Sequence, residues 1–161
     1  QVHAQPRSAY QCGMRSSECG IKGRRLVLPF ALHWGMDTLN GPRSWRRFER
    51  RTKAFALEVT KLANEIPRNP TGDVVRRQLI RAGTSVGANY RSACRPKSPA
   101  DFIAKMCIVE EEADESAYWL EVLEESRLMT NEDIKDLLRE ANELVAMAVS
   151  SINTARQNKR R

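Results

Sequence analysis

From Trp45 onward the apolar residues recur every three to four positions, and this pattern runs four times in succession. Phe55, Val59, Leu62, Ala63 and Ile66 form one stripe, in a helix predicted over about 46–66 that Pro67 stops. Asn69-Pro70-Thr71-Gly72 reads as a short turn, and a second helix begins near Asp73 with Val75, Leu79, Ala82, Val86, Asn89 and Ala93 on one face. Ser98 caps a third helix, with Pro99 at its first position and Asp101 completing a capping-box-like pattern. Its stripe is Phe102, Met106, Val109, Ala113, Leu120 and Leu123, widened by Ile103, Cys107 and Ile108, and it runs to about Leu128. Thr130 caps a fourth helix carrying Ile134, Leu138, Ala141, Val145, Ala148 and Ile152. No apolar run alternates as a strand would. Four amphipathic helices with short connections predict an all-α chain, an antiparallel up-down-up-down four-helix bundle.

Hydrophobic residues make up 41% of the chain and aromatics only 6%, so aliphatic side chains must build the core. The bundle is expected over 45–157, with a basic tail at 158–161. Residues 1–44 differ: Gly13, Gly20, Gly23, Gly35, Gly41, Pro6, Pro29 and Pro42 interrupt any helical period there. The expectation is an unstructured extension that is dispensable for folding, with Met36 as a natural start of translation, or else a basic tail that binds nucleic acid. Lys22, Arg24 and Arg25 before Leu26–Trp34 faintly mimic a signal peptide, but Pro29 and His33 break the apolar run. No apolar stretch is long enough to cross a membrane, so no membrane partner is expected. Cys12, Cys19, Cys94 and Cys107 lack metal-ligand spacing, and His3 and His33 lie upstream of the bundle. No metal, no cofactor and a reducing, cytoplasmic setting are the expectation.

The formal net charge is +7, which favours polyanions. Residues 1–44 carry a net +4 and residues 45–161 a net +3, so a polyanion site in the bundle must come from local segregation. That segregation is present. Arg76, Arg77, Arg81, Arg91, Arg95 and Lys97 stand on or near the second helix against Asp73 alone. The third helix is acidic, with the run Glu110-Glu111-Glu112-Ala113-Asp114-Glu115. Three readings follow: ordinary pairing between neighbouring helices, assembly of the basic helix of one subunit on the acidic helix of another, and phosphate binding by the arginines. No nucleophile or general base converges with the acidic run, so no enzyme is expected.

Gly83 and Gly87 lie one turn apart, each costing ~1 kcal/mol against Ala within a helix. Their spacing predicts a close approach by another helix. Asn89 is placed to hydrogen-bond across the core and set helix register. Tyr118 and Trp119 suit either a subunit interface or the edge of the core.

The segments 78–91 (QLIRAGTSVGANYR), 93–95 (ACR) and 101–115 (DFIAKMCIVEEEADE), with Tyr118-Trp119-Leu120, carry a family resemblance. The chain resembles the four-helix-bundle proteins encoded in intervening sequences of bacterial 23S rRNA genes, over about residues 46–156. Accessory variability proteins of diversity-generating retroelements are similar to these. The resemblance implies a homopentamer, a ring of bundles with a central opening. By the same likeness, RNA or DNA would bind through basic surface, here Arg76, Arg77, Arg81, Arg91 and Arg95. A retroelement reverse transcriptase is the implied alternative partner, the chain then serving as a scaffold or accessory subunit. Gly83, Gly87, Asn89, Glu111, Glu115, Tyr118 and Trp119 are the interface candidates. Ser92 departs from the resemblance, which implies Glu there.

Overall fold

The computed structural model describes residues 41–129 and 132–159. Within them four helices pack against each other and no strand is present: α1 (Gly41–Glu65), α2 (Pro70–Ala93), α3 (Pro99–Glu125) and α4 (Glu132–Lys159). The expectations for residues 1–40 and for the Thr130 cap lie outside the described residues. α1 begins before its predicted start because Pro42 falls in the first turn, where a missing N–H forfeits no helical bond. Pro70 likewise opens α2 and does not belong to a turn. Asn69 is the N-cap, its Oδ1 accepting from the Gly72 amide at 2.8 Å. Ser98 caps α3 in the same way, accepting from Asp101 N at 3.1 Å. The Asp101 carboxylate accepts from the Lys97 amide one residue further out, at 2.7 Å. α3 ends where Arg127 turns left-handed, with φ 54°.

α2 packs closely on α3, and α3 on α4; α1 lies against α2 and touches α4 more sparingly. The core between them is aliphatic, with Val59, Leu79, Val86, Met106, Val109, Leu120, Leu123, Ile134 and Leu144 almost fully buried. Each such side chain contributes roughly 1.5–3 kcal/mol on leaving water. Four aromatic residues gather at one end, where Phe48 lies 4.3 Å from Tyr90 and Trp45 stacks on Phe102 at 5.9 Å, centroid to centroid.

The α4 stripe is displaced from its expected line. Leu137 and Leu144 are buried, whereas Leu138 and Val145 are half-buried at its edge. The pattern of apolar residues allows either row; the position of α1 and α3 decides between them. On α3, Ile108 is 39% exposed and does not widen the core. On α2, Tyr90 takes the buried position expected for Asn89. Asn89 donates from Nδ2 to the Ser85 carbonyl one turn back, at 2.9 Å, and does not reach across the core.

Gly83 and Gly87 face α1 of the same chain. A Cβ at Gly83 would stand 2.7 Å from Val59 Cγ1, and one at Gly87 would stand 3.3 Å from the Thr52 carbonyl oxygen. Along α1 the order is Trp45, Thr52, Val59; their partners on α2 run Tyr90, Gly87, Gly83. The missing side chains let α2 settle onto the α1 backbone, which offsets the helix propensity that two glycines forfeit. Replacing Gly83 by Val should cost about 2 kcal/mol or more through overpacking, and the same change at exposed Ala88 less than about 1 kcal/mol. Urea denaturation of the two variants checks this.

Candidate nucleic-acid interface

Arginine is the residue type on which a polyanion site would rest, and the structure gives the arginines different tasks. Arg76 is structural. Its side chain is only 13% exposed and lies against the C-terminal end of α1. Nε donates to the Ala63 carbonyl at 3.1 Å, Nη2 to those of Ile66 and Pro67 at 2.8 and 3.2 Å, and Nη1 to Asp73 Oδ1. Helix-end carbonyls lack intrahelical donors and carry the negative end of the helix dipole, so a guanidinium is well suited to them. Arg76 is therefore spent on the fold and is not available to phosphate.

Arg81 is also engaged. It donates to both carboxylate oxygens of Glu115 on α3 and lies 3.7 Å from Glu112 Oε1. Glu115 accepts a further bond from Trp119 Nε1 at 3.2 Å, and Tyr118 meets Trp119 edge-on at 5.1 Å. The Arg81 guanidinium holds the Glu115 carboxyl below its ordinary range. Glu112 is shifted the other way, upward, because burial penalises its charge more than Arg81 relieves it. Its Oε2 is buried with no hydrogen-bond partner among the described residues. Of the acidic run, then, two members pair within the chain, and Glu111 is exposed.

Arg77, Arg91 and Arg95 are exposed and pair with no carboxylate among the described residues. Arg91 and Arg95 stand at the end of α2 that meets the start of α1, as the Tyr90 hydroxyl bond to the Trp45 carbonyl, at 3.3 Å, shows. There α1 contributes Arg46, Arg47 and Arg50, all exposed and, among the described residues, without a carboxylate partner. Glu49 is the acid among them; burial pushes the pKa of both Tyr90 and Cys94 up, and the Glu49 charge adds a smaller push in the same direction. The Arg46-Arg47 and Arg50-Arg51 doublets were visible in the sequence, yet only the fold shows that the ends of α1 and α2 join them to Arg91 and Arg95. Arg51 goes elsewhere. It forms a fork with both oxygens of Glu140, at 2.8 and 2.7 Å, and also donates to Glu143, so that it clasps α1 to α4. Cys94 and Cys107 are half-buried free thiols. Among the described residues no group of His, Cys, Asp and Glu is placed to hold a metal ion, and no helix is long and apolar enough to cross a membrane.

Three outcomes follow. Arg76→Gln should lose about 1–3 kcal/mol, since buried carbonyls lose charged donors, while Arg77→Gln stays within about 0.5 kcal/mol; urea midpoints of both variants test the difference. Glu115, with its pKa lowered, contributes stability above its ordinary value of 4.5 that is lost as pH falls through its folded-state value. Glu115→Gln should thus lower the urea midpoint at neutral pH and lose that effect once the pH has fallen below the folded-state value of Glu115. Glu112, with its pKa raised, costs stability once ionised, so Glu112→Gln should raise the midpoint at neutral pH.

Known proteins place the chain. The family model of the 23S rRNA-intervening sequence protein matches residues 47–150. The crystal structure of a protein of unknown function from the S23 ribosomal protein family of Bacteroides thetaiotaomicron is 32% identical, with a TM-score of 0.61. The match covers 65% of this chain and 97% of that one. No curated protein matches. The matched segment spans nearly all four helices, and the chain belongs to the family of 23S rRNA-intervening sequence proteins.

Proposed function

We propose that this chain is a non-enzymatic, nucleic-acid-binding protein, its helices arranged as an antiparallel up-down-up-down bundle and its copies assembled as a homopentamer. The observation that carries the binding reading is the cluster of exposed, unpaired arginines where α1 begins and α2 ends: Arg46, Arg47, Arg50, Arg91 and Arg95. Other arginines are held by carboxylates of the same chain, as Arg51, Arg76 and Arg81 are. Guanidinium groups fork onto phosphate oxygens, and such contacts carry no base information. Binding is therefore nearly sequence-independent, and repetition of the cluster around an assembly multiplies modest contacts. The antiparallel order accords with the register of α1 on α2. The homopentamer follows from the family likeness.

A second reading, a protein-interaction scaffold or accessory subunit of a retroelement reverse transcriptase, draws on a different observation. Tyr118 is 55% exposed, and aromatic side chains in the open favour contact with protein.

The test is fluorescence anisotropy with labelled single-stranded RNA and duplex DNA over a salt series. Affinity should fall steeply with salt as counterions are released. Replacing Arg46, Arg47, Arg91 and Arg95 by Gln should weaken binding to both and flatten the salt slope, with helicity and mass unchanged. A variant that keeps its fold and mass and binds as the parent does removes these arginines from the site.

A further inference from the structure

α3 differs in kind from its neighbours. It is the most apolar of the four helices, and its apolar residues are spread around it, not gathered on one side. A helix with apolar residues on more than one side normally has cover on each of them. Here one side is covered: Phe102, Met106, Val109, Ala113, Leu120 and Leu123 are buried in the chain. On the opposite side a second stripe runs through Ala104, Ile108, Glu111, Glu115, Tyr118 and Val122, at alternating steps of four and three. Residues so spaced share one face. Ile108 is 39% exposed and Tyr118 55%, and Val74 on the adjoining α2 is 43% exposed. The Arg81–Glu115 pair links α2 to α3 at this face. The face is thus apolar and acidic, on a chain whose net charge is +7.

One other large apolar side chain is exposed among the described residues, Leu57 on α1, at 55%. It stands between Lys53 and Lys61, one turn to either side, both exposed, with Lys61 also bonded to Glu58 at 2.7 Å. α1 and α3 do not pack on each other along their lengths, so the two stripes lie on different sides of the molecule. One is apolar and acidic, the other apolar and basic.

We propose that the outer face of α3, centred on Ile108, Glu111 and Tyr118, docks a second copy of this chain through the Lys53–Leu57–Lys61 stripe of its α1. This rests on the reading of the protein as an assembly and specifies its contact. Leu57 covers apolar surface beside Ile108 and Tyr118, and Lys53 meets Glu111. Charges at such a rim steer docking and set register more than they add affinity. The contact is heterologous: each copy uses one face to give and another to receive, which lets copies continue into a closed ring.

The experiment uses the full chain and light scattering at tens of micromolar. The parent should run as an assembly. Ile108→Glu with Tyr118→Glu spoils the α3 face, and Leu57→Glu spoils the α1 face; both sets change exposed side chains, and circular dichroism should remain helical. Each variant alone should fall to the mass of one chain. Mixed in equal amounts, they should form a dimer and nothing larger, because one intact face of each kind remains between them. If the parent assembles and either variant stays assembled, the contact lies elsewhere and only the assembly reading survives. If the variants are single chains but their mixture gives no dimer, α3 does not receive α1. A parent that is itself a single chain overturns both this contact and the assembly reading.

Discussion

The closeness of α1 to α2 governs what the remaining surface can do. With Gly83 under Val59 and Gly87 under the Thr52 carbonyl, no side chain holds the helices apart. That contact sets the register of the pair, and the register has distant consequences. At one end it brings the α1 terminal carbonyls within reach of Arg76. At the other it brings Tyr90 onto Phe48 and the Trp45 backbone, joining the arginines that begin α1 to those that close α2. A side chain at either glycine would act on both ends, because packed helices shift as rigid pieces.

Charge in this bundle is allocated by geometry and not by abundance. Four arginines of similar sequence setting end in four situations. Arg51 clasps α4, Arg76 closes a helix end, Arg81 pairs with α3, and Arg77 stands free. The first two are mostly withdrawn from solvent, where exchange of water for carboxylate or carbonyl partners is complete enough to matter; exposed pairs are screened and contribute little. What is left over is the part of the positive charge that can act on another molecule, and it is densest around the joined ends of α1 and α2.

The same accounting applies to apolar surface. α1 gathers its apolar residues on one side and buries almost all of them, leaving Leu57. α3 carries more than the chain can cover. Uncovered apolar side chains in a regular stripe are a physical demand for a partner, whereas single ones are ordinary.

Fold class was legible in the sequence because helical periodicity, proline positions and caps are local properties. Ser98-Pro99, Pro67 and the four stripes placed the helices to within a few residues, and the glycine pair announced a close approach. Those signals need only the chain's own 3.6-residue repeat. Asn69-Pro70 was the exception: N-cap and first helical residue look the same as a turn until the following backbone is seen. What the sequence could not hold was the fate of each polar side chain. Arg76 looks like Arg77, Asn89 looks as buried as Tyr90, and Leu138 fits the α4 stripe as well as Leu137 does. A rotation of a helix by a fraction of a turn exchanges each pair, and that rotation is set by side chains on other helices. Helices, their ends and their apolar excess were thus determined by the sequence itself. Which arginines remain free, and which apolar stripe remains bare, was decided by tertiary packing, since burial and pairing depend on neighbours distant along the chain.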